Sequence, residues 1–314
     1  MNRRDGLTAY VLVVCTLLVG WATRAAEGLN GSWTIERSEE PGKVEFTLIH
    51  HEHGNNSTHS SAWPTNVFVG LDVSRPGKQE VKFTIARDAG SLDCEGYLND
   101  GEGAGTFRFQ ADPKYASEMN AMGFTGIDLE KQYSMAVMDV SLNFAKEMKG
   151  EHLQGLDTDK LIAFRIFNVN SAFIHELRDA GINVSDCDKL VAFRIHGVTP
   201  EMVRFLRKAG YQPDEDKLIA MRIHGATPDF IEALQKRGYE HVDLDKLIAF
   251  RIHGVTPEFI EKVQSLGYQH PEPDQLIAMR IHGVTPEYIS GLKAKGMQNL
   301  TINQMVSLKI QGID

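Results

Sequence analysis

Cysteine is scarce: only Cys15, Cys94 and Cys187 occur in 314 residues. They are too few and too far apart for a disulfide framework, and no Cys-x-x-Cys redox or zinc pair is present. The chain also lacks a Gly-rich phosphate loop after a predicted strand and a Gly-x-Ser-x-Gly nucleophile elbow. Clustered positive charge is missing as well. Forty-two acidic residues outweigh 33 basic ones, giving a formal charge of −9, and the basic residues are scattered. That pattern excludes the electrostatic footprint of a nucleic-acid binder. Beyond the first 26 residues no apolar run is long enough to span a bilayer.

The N-terminus carries the one long apolar run. Arg3 and Arg4 precede an uncharged stretch, Leu7–Trp21, and small residues follow up to Ala26. This is the pattern of a secretory signal at 1–26, cleaved after Ala25 or Ala26, with an uncleaved N-terminal anchor as the alternative. Cys15 lacks the small residues that precede a lipidated cysteine. The reading implies a periplasmic or secreted protein with no membrane span after cleavage. Cys94 and Cys187 then fall in different domains and are expected as unpaired thiols.

What the chain has in abundance is a repeat. Asp245–Gly267, DKLIAFRIHGVTPEFIEKVQSLG, recurs with its opening residue at Lys189, Lys217, Lys246 and Gln275, spacings of 28, 29 and 29. A fixed period of this length marks a stacked array. Weaker copies open at Lys131, Lys160 and Gln304, and Asp112–Phe124 matches the second half of the unit. Seven units of about 29 residues thus fill 112–314.

Each half of the unit reads as a helix. Thr256 is a good N-cap, Pro257 suits the first helical position, and Gly267 supplies a left-handed stop. Phe259, Ile260, Val263 and Leu266 follow the spacing of one buried face. The other half begins with Asp243 as N-cap, with Asp128, Asp157, Asp186, Asp214, Glu272 and Thr301 as counterparts. Leu247, Ile248, Phe250 and Ile252 make it apolar over more than one face, so neighbouring units are expected to cover it.

Residues 27–111 differ in texture. Val44, Phe46 and Leu48 alternate, as do Val81, Phe83 and Ile85, and Phe107 with Phe109. Short period-two segments separated by turn signals predict a small antiparallel β-domain, a sheet or a sandwich, packing on the first repeat as its cap. A hairpin is expected around Asn99-Asp100-Gly101, with a loop longer than two residues, and Val67–Leu71 is a further candidate strand. The fold class is α+β: an N-terminal β-domain followed by an α-solenoid.

Candidate sites each admit a structural explanation. His51, His53 and His59 are the densest potential metal ligands; a solvated strand end explains them as well, and no cofactor is expected. His175-Glu176 begins a motif that lacks the second histidine of a zinc peptidase. His196, His224, His253 and His282 form a ladder before the glycine that ends each Asp-capped helix, where an imidazole can bond free carbonyls. Arg165, Arg194, Arg222, Arg251 and Arg280 form a second ladder, expected to pair with Glu201, Asp229, Glu258 and Glu287. Asp157/Asp159, Asp186/Asp188 and Asp243/Asp245 lack the rest of a calcium loop and read as caps.

Arg87–Phe109 (RDAGSLDCEGYLNDGEGAGTFRF), taken with the DKLIAFRIHGVTPEFI repeats, resembles the C-terminal extracytoplasmic extension of BlaR1-like M56 metallopeptidases and related exported acidobacterial proteins. The resemblance covers most of the mature chain. Neither the multi-spanning region nor the H-E-x-x-H site of the peptidase is present, so no peptidase activity is implied. It implies a sensor or interaction module of the cell envelope. The expected function is a non-enzymatic module that binds a protein or peptide. The alternatives are an accessory to an envelope metalloprotease and a metal-dependent enzyme with a site in the β-domain.

Overall fold

The computed structural model describes residues 29–52 and 55–313. The signal segment expected at 1–26 and His53 lie outside these residues, and so does the side chain of His51.

The β-rich part is one six-stranded antiparallel sheet, not two packed sheets. Its strands are β1 (Leu29–Arg37), β2 (Lys43–Glu52), β3 (Asn55–Pro64), β4 (Lys78–Arg87), β5 (Gly90–Asn99) and β6 (Glu102–Ala111), in the order β3-β2-β1-β6-β5-β4. Alternation buries Trp33 and Ile35, Val44, Phe46 and Leu48, Val81, Phe83 and Ile85, and Phe107 with Phe109. Trp33 needs room: a Cβ added at Gly96 or Gly105 would lie 2.8 or 2.7 Å from its ring. Its indole N–H donates to the Thr106 carbonyl at 3.0 Å.

Three local expectations change. β3 falls on none of the alternating segments named from the sequence. Its sequence, NNSTHSSAWP, carries little β-propensity, and the strand is held by pairing along β2 and by Trp63 packing edge-on to Phe46 at 5.4 Å. The β5–β6 loop is the two residues Asp100-Gly101, with φ of 53° and 87°. Two left-handed residues are what a tight, twist-matched hairpin requires. Val67–Leu71 is no strand: Thr65–Val67 forms a 3-10 turn and Val69 alone bridges to Thr84.

Contacts divide the chain into two compact units. One holds the described residues up to Thr65 with Asp72–Lys82 and Asp93–Gln110; the other holds Asn66–Leu71, Phe83–Leu92 and Ala111 onward. The β4–β5 turn thus belongs with the helices. The Gln132 amide donates to the carbonyls of Ala89 and Asp112 at 2.7 and 2.6 Å. The Leu142 N–H donates to Asp88 at 2.9 Å, and Arg87 pairs with Asp139 at 3.3 Å.

Fourteen described helices form seven pairs. The B helices are α1 (Pro113–Ala121), α3 (Leu142–Gly150), α5 (Ser171–Asp179), α7 (Pro200–Lys208), α9 (Pro228–Gln235), α11 (Pro257–Ser265) and α13 (Pro286–Ala294). The A helices are α2 (Leu129–Val137), α4 (Thr158–Ile166), α6 (Cys187–His196), α8 (Glu215–His224), α10 (Leu244–His253), α12 (Pro273–Ile281) and α14 (Ile302–Ile310). Every cap named from the sequence is in place. Thr256 accepts from the Phe259 N–H, and Asp243 from that of Asp245.

Along most of the array A helices pack on the A helices of adjacent repeats, and B on B. Leu161, Leu190, Leu218, Leu247 and Leu276 are at most 1% exposed, and the aromatic or methionine three residues on is fully buried in each. Each such side chain contributes roughly 1.5–3 kcal/mol by leaving water. One repeat alone would expose both faces of this layer, so the stack is the folding unit.

Candidate binding surface

The period places like residues in rows, and four rows carry polar or apolar chemistry between repeats.

The arginine row does not pair with the acids at the start of the following helices. The Nε groups of Arg222, Arg251 and Arg280 donate to the carbonyls of His196, His224 and His253 at 3.0, 3.4 and 3.3 Å. Arg194 donates to the Asn168 carbonyl at 2.9 Å. Arg165 donates to the Met138 carbonyl at 3.0 Å and is the one member with a carboxylate, Asp139 at 3.2 Å. Each carbonyl lies at the end of the A helix one repeat earlier, where intrahelical donors have run out. Four guanidiniums also lie over a ring one B helix back: Arg165 over Phe144, Arg194 over Phe173, Arg251 over Phe230 and Arg280 over Phe259, at 4.0 to 5.2 Å. The acids expected as partners do other work. Glu201, Glu258 and Glu287 bond their own backbone N–H and the hydroxyl of the preceding Thr cap, which lowers their carboxyl pKa values.

The histidine ladder is used through its backbone. None of the imidazoles of His196, His224, His253 and His282 bonds a carbonyl among the described residues; the carbonyls of the first three accept from the arginines. The last three rings are exposed.

Lysine supplies the ion-pair row. Lys131, Lys160, Lys189, Lys217 and Lys246 pair with Asp159, Asp188, Asp216, Asp245 and Asp274, each one repeat ahead. The second aspartate of each Asp-x-Asp is therefore a bridge, and the first is the cap. Hydrogen bonding to aspartate raises the pKa of Lys160, Lys189 and Lys217. The aspartates are mostly exposed, so each pair stabilises little.

A tyrosine row escapes a purely periodic reading because only some copies carry it. Tyr211, Tyr239 and Tyr268 donate to the carbonyls of Val242, Pro271 and Leu300 at 3.0, 2.8 and 3.0 Å, in the turns before α10, α12 and α14, one repeat beyond the A helix that follows each tyrosine. Burial raises all three phenol pKa values, that of Tyr239 to about 12.

The fourth row is apolar and uncovered. Ile166, Ile195, Ile223, Ile252, Ile281 and Ile310 are 52, 54, 56, 54, 54 and 62% exposed. Ile252 was expected inside the stack. Seven residues separate it from Asp245, so both lie on one stripe of the helix, and neighbouring A helices cover the adjacent faces instead. The same position in the first A helix is Val137, which is 6% exposed. Half-buried alanines at 163, 192, 220, 249 and 278 continue the row inward. The ladder thus sets one half-exposed isoleucine per repeat along six successive A helices, a regular apolar row on their surface.

Chemistry is thinner elsewhere. His59 lies on β3 opposite Leu48, 6.3 Å from the Trp63 ring, with its Nε2 3.1 Å from the Ser61 hydroxyl. Burial lowers its pKa. No group of three or more His, Cys, Asp or Glu among the described residues is placed to hold a metal ion. His175 of the truncated motif pairs with Glu151 at 2.8 Å, and Arg178 joins the same carboxylate at 3.4 Å. Cys94 and Cys187 are buried and form no disulfide, and burial raises their thiol pKa values to about 12 and about 11. No described helix is long and apolar enough to cross a membrane. Comparison of the chain with protein-family models and with curated proteins finds no match.

Proposed function

We propose that this protein is an exported, non-enzymatic repeat module of the cell envelope whose helical array binds another protein or peptide. One observation carries the reading: the isoleucine ladder, exposed in six consecutive A helices whose leucine row and aromatic or methionine row are packed. Solenoids present extended surfaces of this sort, and repetition favours an elongated ligand over a compact one. Export rests on the residue pattern of 1–26.

The test is photo-crosslinking from a benzoylphenylalanine placed at position 223, in cell-envelope preparations. A single crosslinked partner is expected, competed away by the untagged protein and lost when Ile195 and Ile252 are changed to Gln. Recovery of nothing, or of a partner indifferent to those two changes, would remove the support.

A further inference from the structure

The sheet ends in an open edge that is built for pairing. We propose that two copies of this chain pair antiparallel along β3, with Ser60 opposite Ser60 of the second copy, so that their sheets run on as one.

β3 and β4 are the outermost strands. Exposed edges are commonly blunted by charge, proline, a bulge or a covering segment. β4 has two of these devices. Lys78, Glu80, Lys82 and Arg87 lie along it, and Val69 exchanges hydrogen bonds with Thr84 at 2.9 and 3.0 Å. β3 has almost none. Its sequence, NNSTHSSAWP, holds no Lys, Arg, Asp or Glu, its proline comes last, and it pairs with β2 without a break from Asn55 to Pro64.

Parity decides which backbone groups face outward. In an antiparallel ladder alternate residues bond one neighbour, and those between them aim the other way. The Thr65 N–H donates to the Gly42 carbonyl at 3.0 Å, continuing the register that sets Trp63 opposite Val44. Ser57, His59, Ser61 and Trp63 therefore bond β2, while Thr58, Ser60 and Ala62 present their N–H and C=O to the open edge. Pro64 shares the outward parity, where its missing N–H costs the β2 ladder nothing. Among the described residues no backbone hydrogen bond outside the ladder involves Thr58, Ser60 or Ala62.

The exposed face selects the occupant. Thr34, Thr47 and Ser60 stand opposite one another across β1, β2 and β3, and the Thr47 and Ser60 hydroxyls are 2.8 Å apart. This hydroxyl row stops at the edge. A two-fold axis at Ser60 continues it through Ser60, Thr47 and Thr34 of the second copy, and hydroxyl pairs across strands are favourable. On either side Ala62 of one copy meets Thr58 of the other. Glu45, which stands opposite Ala62, then shares its row with Ile49 of the second copy, opposite Thr58 there, so no like charges meet. The joint forms about six backbone hydrogen bonds, two for each facing pair.

Sedimentation equilibrium of the purified protein reads the contact. The wild type is expected as a dimer. Ser60→Lys sets two ammonium groups directly opposite each other and should raise the dimer Kd at least tenfold. Ser60→Glu should do the same with two carboxylates. Ser60 is exposed, so either side chain leaves the core of the sheet alone. An equimolar mixture of the two variants should dimerise again, and that recovery also shows both to be folded. A wild type that stays monomeric overturns the proposal, and so do variants that dimerise as well as the wild type. Loss in both variants without recovery in their mixture overturns the pairing of Ser60 with its own copy. None of these outcomes bears on the isoleucine ladder, which the crosslink at position 223 reads separately.

Discussion

Arg251→Ala tests the stacking account most directly. The guanidinium donates to the His224 carbonyl at 3.4 Å and lies 4.9 Å from the centre of the Phe230 ring. It joins the end of α8, the ring of α9 and its own helix α10. A charge-assisted bond to a helix-end carbonyl plus a cation over a ring is worth about 1–2 kcal/mol after discounting for the solvent around it. In an array of this length about 1 kcal/mol lowers Tm by 2–4 °C. Repeat arrays unfold locally, so a global midpoint can blur the effect. Amide exchange at Gly225 and Ala226 is sharper, because their N–H groups close the end of α8 on the carbonyls of Arg222 and Met221 at 3.2 and 2.8 Å. Their exchange should quicken about 5- to 30-fold in Arg251→Ala, while amides in α13 stay unchanged. Arg251→Lys should fall between, as Lys309 already lies over Tyr288 at 4.6 Å. Glu258→Gln is the decisive companion. If arginine pairs with that carboxylate, the two variants behave alike; if it caps a carbonyl, Glu258→Gln leaves Gly225 and Ala226 untouched. Matching behaviour, or no change in Arg251→Ala, refutes the carbonyl-cap account.

Other outcomes follow from burial and titration. Phe250→Ala, at a fully buried position, should cost about 3–5 kcal/mol, whereas Ile252→Ala two residues on, about half exposed, should cost about 1 kcal/mol; urea denaturation of the pair checks the contrast. Tyr239→Phe removes the bond to the Pro271 carbonyl and should cost about 0.5–1.5 kcal/mol, with faster exchange at the start of α12. Stability should hold up to about pH 9 and then fall as pH rises, read by Tm across an alkaline series. The thiols and Tyr239 are neutral in both states below that point; above it the unfolded chain ionises near 9.0 and 10.0, while the folded groups wait until about 11 to 12. A flat profile to pH 11 would contradict their burial. The same burial predicts that a thiol reagent at neutral pH labels Cys94 and Cys187 only after denaturant is added.

The helices were legible because their signals are local. Thr-Pro caps, Asp caps and terminal glycines act within one turn, so Thr199, Thr227, Thr256 and Thr285 give the B-helix starts without any tertiary knowledge. Partner choice was less legible, since it depends on the stagger between successive repeats. The carboxylates of Glu258 and its equivalents are nearby in sequence logic, but the stack brings Arg251 to a backbone carbonyl one period earlier, and no residue type announces a carbonyl. Ile252 was misplaced for a related reason: hydrophobicity says a residue prefers burial, not that a neighbour exists to bury it. β3 was missed because Ser, Thr and Asn dominate it, and its strand state is imposed by β2. The tyrosine row was readable in principle from Gly210-Tyr211, Gly238-Tyr239 and Gly267-Tyr268, one period apart, but the acceptors are again backbone.

The direction of these contacts has a consequence for the growth of such a chain. Each arginine of the row looks one repeat back, each bridging lysine one repeat ahead. A duplicated repeat would therefore find its acceptors and donors already waiting on either side, and a deleted one would leave neighbours that fit each other. Length becomes a quantity that can change in whole steps without redesign of any joint, and every step adds or removes one isoleucine from the exposed ladder. The length of that ladder is set by counting copies.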